Sequence, residues 1–288
     1  MGTTASPALD HTRLRVPAWR LGAQIAILAG LIAILYYRIV IDLALDWWNQ
    51  PAWSQGMLIP PLAAYIAWMR RPSIFAQPVQ ASRRGLLLVG AACLLYLVGR
   101  LGAEFFLPRI SIVVLLAGLT WTFWGVRRLR ELSFPFLLLA TMVPLPIVLY
   151  NAVAGPLQLF ASSAASSLAQ LCGITVYQDG NVIHLAQISL GVEEACSGLN
   201  SLSALIVASL LLGFLRCSRP RTRFVLFALS MPLAIAVNVI RVAGTAIIAD
   251  YHQEFALGFY HSFSGWLVFV VGFAALYGLA KALHIVLD

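Results

Sequence analysis

The stretch LSFPFLLLATMVPLPIVLYNAVAGPLQLFASSAASSLAQLCGITVYQ, residues 132–178, contains no charged side chain. How often it crosses a bilayer decides the architecture of the chain. A hydrocarbon core of about 30 Å takes roughly 20 helical residues to span, so there is room for one crossing or two. The charges on either side choose between them. With one crossing, and eight spans in all with both termini cytoplasmic, Arg13, Arg15, Arg20, Arg70, Arg71, Arg83, Arg84, Arg127, Arg128, Arg130, Arg216, Arg219, Arg221, Arg223 and Lys281 share the inner side. Only Arg38, Arg100, Arg109 and Arg241 fall outside. Asp42, Asp46, Glu104, Asp179, Glu193, Glu194, Asp250 and Glu254 go out with them. That is the positive-inside asymmetry of a polytopic membrane protein. A second crossing would push Arg216–Arg223 outward, against it. The sequence therefore predicts one span over 133–150, broken near Pro144 and Pro146, and then a helix over 151–171 lying at the outer surface or packed within the bundle.

The remaining spans are read at 21–41, 57–69, 85–103, 110–126, 199–215, 224–249 and 264–284. The second is short and needs Pro60 and Pro61 or local bilayer thinning to cross. The expected fold is thus all-α and polytopic, about eight transmembrane helices in one domain over 1–288, with 1–20 a cytoplasmic tail. The 288 residues are 61% hydrophobic and 10% charged, with a net charge of +8. The basic residues are Arg apart from Lys281 and sit in short loops between apolar runs. A nucleic-acid footprint would instead be a continuous basic face, so no nucleic-acid partner is expected. Arg13, Arg15 and Arg20 precede an apolar run without a small-residue cleavage site, which predicts a retained first span and not a cleaved signal peptide. The opening MGTTAS fits a myristoylation pattern by letter only.

Cys93, Cys172, Cys196 and Cys217 show neither a metal-ligand spacing nor a disulfide framework, so no metal and no cofactor are expected. After the uncharged stretch, ITVYQDGNVIHLAQISL (174–190) alternates around Asp179-Gly180-Asn181 and predicts a small outer hairpin. Directly after it comes EEACSGLNSL (193–202). Cys196 falls at the first turn of a span, where free N–H groups and the partial positive charge of the helix end favour thiolate over thiol. A lone cysteine in a membrane helix is commonly just a small buried residue. Here Glu193, Glu194, Ser197 and Asn200 make the helix mouth polar. The two glutamates oppose thiolate formation, so a cation must answer them.

MPLAIAVNVIRVAGTAII (231–248) supplies one. Arg241 stands in an otherwise uncharged apolar run with Asn238 three residues earlier on the same face. A guanidinium at membrane depth needs a polar cavity or a partner; snorkelling to the surface is the plain alternative. His261, in YHSFSGWLVF before the last span, is the natural proton carrier for a cysteine nucleophile. His252 sits nine residues earlier in the same loop. Most loop histidines are simply solvated. A thiolate, an imidazole and a permanent cation on one membrane face nonetheless specify acyl transfer.

At these residues the chain resembles the exosortase/archaeosortase family of membrane cysteine transpeptidases. Glu194-Ala195-Cys196-Ser197-Gly198, Asn238-Val239-Ile240-Arg241, and His261 with Gly265 match its three blocks in order. PAWSQGMLIPPLAAYIAWMRR (51–71) is similar to its first outer loop and second span, with Gln55-Gly56 where many members carry His-Gly. The resemblance implies a cysteine endopeptidase with sortase-like activity in the bacterial inner membrane. Cys196 would be the nucleophile, with Arg241 and His261 as partners and the active site periplasmic. It also implies substrates anchored in the lipid bilayer, with a Pro-Glu-Pro-like (PEP-CTERM) motif, a transmembrane helix and a short basic tail. A second nucleophile, not necessarily water, would resolve the acyl-enzyme. Arg100 or Arg109 is the expected partner of the motif's glutamate.

Two rival classes remain. A transporter would use Arg241 and the glutamates as a polar path, but the two halves show no internal similarity. A structural component of polysaccharide export leaves the Cys–Arg–His set unexplained. Other intramembrane protease signatures are missing: there is no GxSxG and no HExxH, and Gly198 stands where a Glu-Glu motif would need Arg.

Overall fold

A computed structural model describes residues 18–186, 188–191, 199–255 and 261–287. About 82% of the described residues are helical. Helix α1 (Ala18–Asn49) is followed by a 3-10 helix (Pro51–Leu58), α2 (Ile59–Met69), α3 (Arg71–Ala76), α4 (Gly85–Leu101), α5 (Phe106–Trp124), α6 (Val126–Glu131) and α7 (Ser133–Ala140). Next come α8 (Ile147–Leu171), the strands β1 (Tyr177–Asp179), β2 (Val182–His184) and β3 (Ser189–Gly191), then α9 (Leu199–Arg216), α10 (Pro220–Tyr251), α11 (Gln253–Phe255) and α12 (His261–Leu287). The described residues up to Asp42 form one compact unit and Leu43 onward the other.

Among the described residues, five helices are long and apolar enough to cross a membrane, which supports a polytopic fold without reaching the expected count of about eight: Gly22–Asn49, Phe106–Trp124, Ile147–Leu171, Pro220–Tyr251 and Phe263–Val286. Gly85–Leu101 and Ser201–Arg216 are apolar but shorter. The 57–69 run yields only the 11 residues of α2, about 16 Å of helix at 1.5 Å per residue. The 133–150 run breaks as the prolines demand, because Pro lacks an N–H and bars the helical conformation before it. Its two halves are unequal. α7 has 8 residues, while α8 starts at Ile147 and runs on for 25 through the stretch expected to be a helix at the outer surface or within the bundle.

The expected hairpin is present and gains a third strand. Asp179 pairs with Val182 across Gly180-Asn181, and Gly180 has φ +59°, the left-handed conformation a tight two-residue turn requires. β3 then pairs antiparallel with β2. The sheet lies on α8 and α10: Ile174, Val176, fully buried Ile183 and Leu185 pack with Ala165 and Ala169 of α8 and Val242 and Ala243 of α10. Small residues let membrane helices approach closely. In the α4–α5 hairpin, a side chain at Gly118 would come within 2.8 Å of the Val89 backbone nitrogen.

A second core gathers Leu43, Ile59, Ala63, Ile66, Val113, Leu138 and Met142, with Trp47 at its edge. The Trp47 indole donates to the Met142 carbonyl at 3.0 Å and lies flush on buried Gly56, where any Cβ would overlap the ring. Gly56→Ala is therefore expected to displace the indole and cost about 1–3 kcal/mol, an overpacking effect. Thermal unfolding of the detergent-purified chain checks it. Trp47→Ala in the Gly56→Ala background should cost less than in the wild type, since the two sites are in contact.

Candidate active site

Arg241 and Asn238 sit one turn apart on α10, beside the Val242 and Ala243 that the sheet covers. Asn238 is buried and Arg241 is half-buried. Arg241 Nε donates to the hydroxyl of Ser264 at 3.3 Å, and Ser264 is itself buried. The guanidinium then lies across the backbone of Gly265: a Cβ there would be 3.5 Å from Nη2 and 3.8 Å from Cζ. Ser264 and Gly265 are the third and fourth residues after His261, which opens α12. Of the three expected partners, only Arg241 has a side chain among the described residues; those of Cys196 and His261 lie outside them.

Glu193, Glu194, Cys196 and Ser197 lie outside the described residues. Their flanks are placed: β3 ends at Gly191 and α9 begins at Leu199. Ser201, in the first turn of α9, is buried. With Ala204 it faces Gly265 and Phe269 of α12 across a crevice of about 290 Å³. The 3-10 helix closes the crevice with Pro51, Ser54, Gln55 and Leu58. Gly265 therefore carries Arg241 on one side and lines the crevice on another.

A larger cavity of about 580 Å³ adjoins the same 3-10 helix, and Pro51 lines both. Its walls bear a close ion pair, Arg109 Nη2 to Asp46 Oδ2 at 2.6 Å, with Arg109 nearly buried and its guanidinium 5.7 Å from the Phe105 ring centre. Glu104 also lines it, its carboxylate accepting from the Leu107 N–H at 2.7 Å at the start of α5. Trp53 and Tyr150, ring centres 5.5 Å apart, form an aromatic corner beside Pro144 and Pro146. Arg100, in contrast, is exposed in the last turn of α4 and does not line this cavity.

Ser201, Ser264 and the Asp46 partner of Arg109 are contributions the sequence reading missed. For Ser264 a signal existed: with Gly265 it follows His261 at helical spacing, so a polar face was legible there. Asp46 pairs across 63 positions with Arg109, and no local pattern announces that.

Apolar helices of membrane length, one of them carrying a half-buried arginine bonded to a buried serine, define a polytopic membrane protein with polar groups placed inside it. The particular family follows from comparison: residues 47–278 match the family model described as transmembrane exosortase, so the chain belongs to the exosortase family. No curated protein and no solved structure shows a significant match to the chain.

Proposed function

We propose that this exosortase is a cysteine endopeptidase and transpeptidase that trims C-terminal sorting signals of membrane-anchored proteins and passes the product to an acceptor. The observation that carries the reading is the Arg241 guanidinium lying on the first turn of α12, the turn that His261 opens. In the proposed reaction, His261 takes the Cys196 thiol proton and the thiolate attacks the scissile carbonyl. Arg241 holds the developing oxyanion. The C–N bond breaks, His261 returns the proton to the leaving amine, and a thioester remains on Cys196. An acceptor amine, or water, then attacks the thioester and regenerates the thiol. Glu193 and Glu194 belong to the same mouth, where they offset the charge of Arg241; Ser197 and Asn238 support it. The site would face the periplasm, with both chain termini in the cytoplasm of a bacterial inner membrane.

The Pro-Glu-Pro-like motif is assigned to the larger cavity. Its prolines have the Trp53–Tyr150 corner to pack against, and its glutamate exchanges with Asp46 as the partner of Arg109. The test is a co-expressed substrate carrying the motif, a transmembrane helix and a basic tail, followed by immunoblot. The wild type should trim it, and added hydroxylamine should divert the product to a hydroxamate. Substrate left at full length by a well-expressed chain overturns the reading.

Arg109→Gln, combined with Asp46→Asn so that no carboxylate is left uncompensated, should slow trimming of the natural signal about tenfold or more, the value of a charge-assisted contact. The same variant should scarcely change a signal whose motif glutamate is replaced by glutamine. Arg100→Gln should spare both. Equal losses on the two signals would remove Arg109 from motif recognition.

A further inference from the structure

At the arginine-rich end of the bundle, a separate cavity of about 490 Å³ opens between the end of α2, the start of α7, the last turns of α9 and the start of α10. Phe214 lines it, stacked on Phe134 with ring centres 3.9 Å apart. Two guanidiniums flank that one ring, Arg70 at 5.5 Å and Arg223 at 5.7 Å from its centre. Arg70 is paired with Glu131 at 2.9 Å. Arg223 spends its Nε on the Cys217 carbonyl at 2.9 Å, and among the described residues no carboxylate pairs with it. The cavity charges therefore sum to one surplus positive charge. The hydroxyl of Ser133 stands at the exposed rim, while Leu137 and Leu210 give the flank an apolar surface.

We infer that this cavity is a binding site for an anionic phospholipid, the phosphate held by Arg223 and Arg70 and one acyl chain laid along Leu137, Leu210 and Phe134. The chemistry favours a lipid over a free anion because the charged pair and the apolar flank are parts of one cavity. It favours an anionic headgroup over a zwitterionic one because the surplus charge is positive. Basic pockets between membrane helices recognise lipid headgroups in this way. The inference is independent of the transpeptidase reading.

The purified full chain in zwitterionic detergent would be titrated with phosphatidylglycerol, phosphatidylcholine or inorganic phosphate, following protection against thermal unfolding. Phosphatidylglycerol should protect the wild type saturably, and the other two should not. Arg223→Gln should weaken the apparent affinity about tenfold or more, the loss expected for one charge-assisted contact. Arg221→Gln, nearby but outside the cavity, should leave it unchanged. Ser133→Trp, at the exposed rim, fills the cavity without altering charge and should abolish the protection; it carries the test if Arg223→Gln does not fold. Equal protection by phosphatidylcholine would reduce the site to an apolar groove. Protection by phosphate alone would make it an anion site, and an unaltered Arg223→Gln would leave only diffuse surface charge. Each of those outcomes overturns the inference.

Discussion

Cys196→Ala is expected to leave the chain in the membrane at wild-type levels and to reduce signal trimming by at least about 10⁴-fold, the scale on which a covalent catalyst fails when its nucleophile is removed. The substitution is conservative in volume and sits between β3 and α9, beyond the last residue of the sheet and ahead of the first buried turn of α9. Stability should therefore move little while turnover collapses. The other cysteines supply the controls. Cys93 is exposed on α4 and Cys172 exposed just past the end of α8, while Cys217 is buried among Leu205, Leu212 and Leu226 at the arginine-rich end. Cys93→Ala and Cys172→Ala should trim normally. In a chain lacking those three, a membrane-impermeant thiol reagent should label Cys196 and block trimming in the same proportion. Full trimming by Cys196→Ala at equal expression would remove the nucleophile from the proposal and bring the transporter and export-component readings forward.

The sequence reading and the fold part company where apolar content and packing ask different questions. The breaks at Pro144 and Pro146 and the turn at Gly180 were legible because they are local backbone requirements. α8 was not. Its second half is written in Ser, Gln and Ala, which lower hydropathy and suggest a surface. Yet Ala161, Ser162, Ala165, Ser166 and Ala169 are buried, and Ala165 and Ala169 pack with Val242 and Ala243 of α10. Small residues there mark close helix approach and not exposure to water. The charge count could not reveal this, since α8 carries no charge to count. The same limit governs the site. Asn238 and Arg241 stood out as polar residues in an apolar run, but which hydroxyl receives the guanidinium depends on how α12 lies against α10. The crevice depends on three elements, at 51–58, 201–204 and 265–269, that no local pattern joins. The large cavity likewise needs an aspartate at the end of α1 to meet an arginine in the first turn of α5.

Arg241→Gln is expected to lower trimming about 10²–10³-fold, the usual effect of deleting one oxyanion donor, with a small effect on folding. The two expectations have the same origin. A glutamine can keep a donor near Ser264 in the resting protein, whereas only the guanidinium brings the positive charge that the charged transition state calls on. Arg241→Lys keeps the charge but loses the planar fork that spans Ser264 and Gly265, and should recover only a small part of the rate. Ser264→Ala removes the hydroxyl that accepts from Nε and should cost only a few-fold, about one neutral hydrogen bond's worth. A structural arginine would behave differently: its loss would lower thermal stability, and added guanidinium would not help. For the proposed role, guanidinium ion should partly restore trimming by Arg241→Ala, and the defect should appear in the rate of thioester formation with substrate binding unchanged. Trimming by Arg241→Gln within about threefold of wild type would leave the oxyanion without its cation. The catalytic charge would then have to come from elsewhere, and the meeting of α10 with the first turn of α12 would be packing alone.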